Sequence, residues 1–89
     1  MIRQRVIFSG RVQGVGFRAT ARAIARNHVV TGWVRNEDNG TVLLEVQGMA
    51  EVVSAYLNDL HRDMARFIKN SAAAQIAVVG DEPDFSIRR

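Results

Sequence analysis

Cysteine is absent from this chain of 89 residues, proline occurs once, histidine twice, and aromatic residues make up 7% of the sequence. Without cysteine there is neither a disulfide framework nor a thiolate nucleophile, so a chain this short must hold together by packing alone. His28 and His61 are far apart in sequence and no other soft ligand accompanies them. No metal-ligand spacing is present, and neither a metal nor another cofactor is expected. No apolar run reaches the length of a membrane-crossing helix, and the start Met1-Ile2-Arg3-Gln4-Arg5 lacks the apolar stretch and cleavage site of a secretory signal. A cytoplasmic protein with no membrane partner is expected.

What is present fits a packed globule: 47% of the residues are hydrophobic and 24% are charged. The length suits one core, so a single domain over residues 1–89 is expected, as a monomer. The net charge of +3 is a mild basic excess that serves an anionic substrate, a nucleic acid or solubility equally well. Arg22 and Arg26, and Arg62, Arg66 and Lys69, recur at helical spacing and read as solvated faces.

Ile2 to Gly10 alternates, with Ile2, Val6 and Phe8 on one side and Arg3, Arg5 and Ser9 on the other, which is the period of a half-buried strand. Arg18 to Asn27 is alanine-rich, and Phe17, Ala21, Ile24, Ala25 and His28 recur as one face of a helix. Val30–Asn36 and Thr41–Gln47 are β-prone runs joined by Glu37-Asp38-Asn39-Gly40, whose Asn-Gly pair signals a tight hairpin. In the second run Val42, Leu44 and Val46 should be buried, and Thr41, Glu45 and Gln47 wet. Trp33 and Val34 alternate, so one packs on the helices and the other on the opposite face. Val53, Leu57, Leu60, Met64 and Phe67 draw an apolar stripe along a second helix from about Ala50 to Ile68. The remainder reads as a strand over Gln75–Val79, a turn over Gly80–Pro83 and a short last strand at Phe85-Ser86-Ile87. This is an α+β order, the ferredoxin-like βαββαβ sandwich, with two helices on one face of a mainly antiparallel sheet of four to five strands. Such a fold hosts many unrelated functions, so the function has to come from a site.

One segment carries chemistry. Gly10-Arg11-Val12-Gln13-Gly14-Val15-Gly16-Phe17-Arg18 joins the first strand to the first helix, where backbone N–H groups lack intrahelical partners and the helix dipole favours an anion. Gly14 and Gly16 can turn successive N–H groups inward as a nest, and Arg18 adds a planar fork of donors suited to phosphate oxygens. Two better-known glycine signatures compete. Gly14-Val15-Gly16-Phe17-Arg18-Ala19 satisfies the dinucleotide pattern, with Glu37 about twenty residues on. That fold, however, needs further helix-linked parallel strands, and here the second strand enters a hairpin. A Walker loop fails because no lysine followed by serine or threonine comes after the glycines.

A second constellation, Thr31-Gly32-Trp33-Val34-Arg35-Asn36, ends in an asparagine at the hairpin. Local chemistry favours a turn-capping role for Asn36, and its amide can also orient a water, accepting from one partner while donating to another. A third reading, an RNA-recognition module, would want aromatic residues at alternate positions of central strands, which Arg5-Val6-Ile7-Phe8 and Leu43–Val46 do not offer. No nucleic-acid partner is expected.

Gly10 to Arg18, followed by Gly32-Trp33-Val34-Arg35-Asn36 and Gly40-Thr41-Val42, closely resembles the paired signatures of the acylphosphatase family, and Phe85-Ser86-Ile87-Arg88-Arg89 looks like its C-terminus. The resemblance implies a free-standing hydrolase that cleaves acyl phosphates to a carboxylate and inorganic phosphate. It implies no cofactor and attack by a positioned water, without a covalent intermediate. By position it makes Gln13, Gly14, Val15, Gly16, Phe17 and Arg18 the phosphate cradle, with Arg18 and Asn36 as the catalytic residues. Two rivals share the pattern: a module that binds phosphate without cleaving it, and the acylphosphatase-like segment of larger carbamoyl-transfer enzymes. This sequence departs from the family in two places, Ala19 where a bulky aromatic residue is frequent, and Asn70-Ser71-Ala72-Ala73-Ala74 in place of a Gly-Pro pair. The first would widen the mouth of the site and the second leaves the path of residues 69–74 open.

Overall fold

The alternation of apolar and polar residues dictates a sheet, and the two apolar stripes dictate what covers it. A computed structural model describes residues 1–89 and gives the order β1 (Ile2–Gly10), α1 (Phe17–Ala25), β2 (Thr31–Asn36), β3 (Val42–Gly48), α2 (Ala50–Asp63), β4 (Ile68–Ile76) and β5 (Phe85–Arg88). The strands form one sheet in the order β4-β1-β3-β2-β5. All neighbours are antiparallel except β2 and β5, which run parallel. This is the expected ferredoxin-like arrangement with a fifth strand added at one edge.

Register builds the core in rows. Val6 of β1 and Val34 of β2 both stand opposite Leu44 of β3, and all three are sealed under the helices. One row further along, Phe8, Val42 and Asn36 line up in the same way. Asn36 therefore occupies a helix-facing position, where a polar side chain is out of pattern. From the helix side come Phe17, Ala21, Ile24 and Ala25 of α1 and Val53, Tyr56 and Leu60 of α2. Burial raises the Tyr56 phenol far above its ordinary pKa, so it stays protonated and donates to the Ala21 carbonyl at 2.9 Å, tying the two helices together.

Three expectations are corrected. The second helix ends at Asp63 rather than near Ile68. The turn that follows keeps Met64 buried and Phe67 packed on the core, so the apolar stripe outlasts the helix. The Phe67 carbonyl is then held by the Arg11 N–H at 3.0 Å. The fourth strand is Ile68–Ile76, not Gln75–Val79: the alanine run pairs with β1 along its length, and Val78 and Val79 lie exposed beyond it. The fourth strand is an edge strand exposed on nearly every residue, so its sequence carries no burial pattern to read.

The third correction concerns the face of the sheet away from the helices, which is drier than alternation suggests. Arg3, Glu45 and Gln47 are buried there, with Arg3 only 2% exposed. Arg3 donates to Glu45 at 2.7 Å, to Gln47 at 3.1 Å and to both carboxylate oxygens of Glu82. Gln47 exchanges two hydrogen bonds with the backbone of Val79. The segment between β4 and β5 is thereby strapped over this face. Trp33 lies on the same side, with the guanidiniums of Arg88 and Arg35 at 4.5 and 5.1 Å from its ring centroid, while Val34 packs in the helix-side core.

Candidate active site

β1 stops at Gly10 and α1 starts at Phe17, so the bridging segment has to turn sharply. Gly14 and Gly16 adopt φ of 76° and 78°, the left-handed region that side chains disfavour. A Cβ on either would meet nothing within 4 Å, so the backbone angle, not crowding, is what requires glycine. Gly16 is also the N-cap of α1, supplies no capping side chain, and is followed by a first turn without an acidic residue. The orphan N–H groups are left for an outside acceptor. After Arg11, the first backbone N–H to reach a carbonyl is that of Thr20, which donates to Gly16 at 3.0 Å. Those from Val12 to Ala19 point to no partner in the chain.

Val12, Gly14, Gly16, Phe17, Arg18 and Ala19 of this segment border a cleft of about 420 Å³, while Gln13 and Val15, also expected in the cradle, are not in its lining. Gly14, Gly16, Phe17 and Arg18 line it from the loop and helix start, and Asn36 lines it from the end of β2. The Asn36 Oδ1 is buried and has no hydrogen-bond partner. An unpaired buried polar atom is costly, so it marks a place where a ligand or water is meant to complete the bonding. Arg18 is half-buried and enters none of the ion pairs. No aspartate or glutamate lines this cleft. Its field is set by the arginines of its lining, Arg18 and Arg89, and by a helix N-terminus, all favouring an anion.

The remaining cradle residues have different duties. Phe17 is 2% exposed and its ring packs on Phe8 with centroids 4.9 Å apart, so it offers the cleft its backbone while anchoring the helix. The Val15 side chain packs against the core. The Gln13 side chain is absent from the cleft lining; its Nε2 donates to the carbonyls of Glu37 at 2.8 Å and Thr41 at 2.9 Å. Gln13 thus staples the loop to the hairpin just beyond Asn36 and fixes the spacing between the two halves of the site.

Ala19, expected at the mouth of the site, is in the lining, and the sequence reading missed three other wall residues, Val12 beside the loop, Ile87 in β5 and Arg89 just after it. A signal was present for Ile87: alternation from Phe85 puts it on the helix side and Ser86 and Arg88 on the other, whereas Arg89 follows the last residue of the strand. A second, wholly polar cleft of about 510 Å³ adjoins the first and is lined by Arg35, Asn36, Glu37, Asp38, Asn39 and Arg89. Within it Arg35 and Glu37 neutralise each other at 2.9 Å. His28 pairs with Asp59 at 2.8 Å and His61 bonds the Leu57 carbonyl and Ser71, and neither lines the first cleft. The arrangement can hold a phosphate-sized anion by backbone N–H groups and one arginine, and place an amide beside it.

Comparison with known proteins gives the same answer from outside. The sequence model of the acylphosphatase family matches residues 4–87. The acylphosphatase of Geobacillus thermodenitrificans is 40% identical over 88 residues, 98% of this chain and 94% of that protein. The crystal structure of acylphosphatase from Bacillus subtilis superimposes with a TM-score of 0.88 at 26% identity, covering all of both chains. HypF of T. kodakarensis also contains this fold, with a TM-score of 0.85 and 26% identity, although the match covers only 12% of that chain. With a family model spanning almost the whole length and relatives of similar size matched end to end, the chain belongs to the acylphosphatase family.

Proposed function

We propose that the cleft between the Gln13–Arg18 loop and Asn36 is where this enzyme, a hydrolase of acyl phosphates like the rest of its family, cleaves the bond between carboxyl and phosphate. The observation that carries the reading is the Asn36 Oδ1, buried without a partner beside a nest of unpaired N–H groups. A module that only binds phosphate has no use for it.

The chemistry needs few groups. An acyl phosphate expels a carboxylate, whose conjugate acid has a pKa of about 4, so the leaving group departs without a proton donor. That accounts for a site with no histidine, cysteine or acidic side chain in its wall. Phosphoryl transfer then depends on positioning and on stabilising charge over the equatorial oxygens. The N–H groups from Gln13 to Arg18 and the Arg18 guanidinium meet those oxygens. Asn36 accepts a hydrogen bond from the attacking water through Oδ1 and fixes its line of approach to phosphorus. Asparagine is no base at neutral pH, so the water's proton passes to an oxygen of the substrate phosphate. Attack is in line, no covalent phosphoenzyme forms, and neither metal nor cofactor takes part. The chain is read as one domain over residues 1–89, monomeric and cytoplasmic; the lack of cysteine suits a reducing compartment, and no helix is long and apolar enough to cross a membrane.

The test is phosphate release from benzoyl phosphate in the presence of a chelator, with isotopically labelled water. Attack at phosphorus puts the label in inorganic phosphate, and Arg18→Ala lowers kcat/KM at least about a hundredfold, because it removes a charged donor from the transition state. Label in benzoate, or an undiminished rate in the variant, would refute the mechanism.

A further inference from the structure

Arg89 reaches the cleft through register. β5 runs parallel to β2 with Arg88 beside Arg35, and Arg88 stacks on Trp33 on the helix-free face. The next residue, Arg89, follows the end of the strand and lines the cleft. Arg89 and Asn36 are the residues common to the linings of both adjoining clefts. Arg89 enters no ion pair: Glu37 is engaged by Arg35, and Asp38, which shares the second cleft, lies beyond salt-bridge distance. The lining of the first cleft therefore includes two arginines whose side chains enter no ion pair, Arg18 at the helix start and Arg89 just after β5, and no aspartate or glutamate. The phosphate already has the loop N–H groups and Arg18. The wall beside Arg89 includes Ile87 and the small Ala19, an apolar path suited to an acyl chain rather than to a second phosphate contact.

We propose that Arg89 reads a carboxylate on the acyl part of the substrate, so that the enzyme favours acyl phosphates bearing a second anionic group over neutral ones of the same length. The inference rests on the acyl phosphate reading above and adds a specificity determinant to it. Because the contact is the same before and during phosphoryl transfer, it acts on KM and leaves kcat alone.

Adipoyl monophosphate and its monomethyl ester match in length and differ by one charge. The expected result is a kcat/KM about fivefold higher for the free acid, the scale of an exposed ion pair. The difference should reside in KM and shrink in 1 M salt, where screening acts over about 3 Å. Arg89→Gln should bring the ratio to about one, and Arg89→Lys should keep most of it. Equal rates for acid and ester with the unaltered enzyme would overturn the proposal, as would a preference that survives Arg89→Gln. An equal loss on both compounds that leaves the ratio intact would also overturn it, by placing Arg89 on the phosphate. Failure of the unaltered enzyme to cleave benzoyl phosphate is a separate result and would refute the catalytic reading itself.

Discussion

Replacing Asn36 by alanine should separate stability from activity, because the two roles open to this residue predict opposite signs. Asn36 sits in the row of Phe8 and Val42 beneath the helices, and its Oδ1 is buried without a partner. A buried acceptor left unpaired costs about 1–3 kcal/mol, and alanine removes it at the expense of a small loss of packing. Stability should therefore be unchanged or rise by up to about 1 kcal/mol. In a domain of this size that is a rise in Tm of up to roughly 4–8 °C. Activity should move the other way. A water displaced by about 1 Å costs on the order of a hundredfold in rate, equivalent to about 2.7 kcal/mol of barrier. KM for benzoyl phosphate should stay within about threefold, since the loop and Arg18 are untouched. Steady-state kinetics and thermal unfolding followed by circular dichroism measure both effects on one preparation. If Asn36 instead serves the hairpin, Tm falls and kcat stays within about twofold of the original, and the water-placing role is refuted.

Gly16→Ala should test the cradle without altering its space, since a Cβ there meets nothing and the penalty is the left-handed φ alone, about 1–2 kcal/mol. Relief of that strain distorts the nest, so inhibition by inorganic phosphate should weaken several-fold. Gly40→Ala, equally strained at φ of 91° but in the hairpin, should lower Tm with phosphate inhibition unchanged; equal effects of both on inhibition would refute the nest. Acid stability should follow the Arg3 cluster. Burial pushes the Glu45 and Glu82 carboxyls up, but hydrogen bonds from Arg3, joined by Arg5 at Glu45, outweigh it and hold both below the ordinary carboxylate range. A depressed folded pKa contributes stability that is present above the unfolded value of about 4.3 and is lost as pH falls through the folded one. Glu82→Gln should therefore destabilise at neutral pH, and the gap to the unaltered protein should close as pH falls from about 4.3 through the lowered folded value. A constant offset across the whole pH range would refute the linkage.

The parts of the fold legible in the sequence are those where one face is buried and the other is not. Ile2–Gly10, the Asn-Gly hairpin and the stripe through Val53 and Leu60 all carry that contrast. The alanine run Ala72–Ala74 does not: it is an edge strand that buries nothing, recruited by backbone pairing to β1, and pairing leaves no mark on side-chain pattern. The apolar stripe does not mark the end of the second helix for a related reason, since Met64 and Phe67 keep facing the core after the backbone has left the helix. At the site, Gly14, Gly16 and Arg18 were legible because glycines, a helix start and an arginine in sequence neighbourhood announce an anion nest, whereas local chemistry favoured a turn cap for Asn36 and only the family resemblance pointed to the site. Arg89 was not, because its place depends on a parallel pairing of β5 with β2 across half the chain.

That pairing also explains why a hydrolase keeps a buried arginine so far from its chemistry. Glu82 lies three residues before β5, and Arg3 grips it with two hydrogen bonds while holding Glu45 of the central strand β3. Gln47 grips the backbone of Val79 from the same strand. The strap thus has its register fixed before β5 begins, and that register decides whether Ile87 and Arg89 face the cleft or the solvent, because a slip by one residue exchanges the two faces. Replacing Arg3 with a methionine of similar length would leave the part-buried Glu82 carboxylate without its guanidinium and Glu45 with Arg5 alone, loosening the strap. The ion cluster therefore acts on the active site through strand register, with no contact to the substrate.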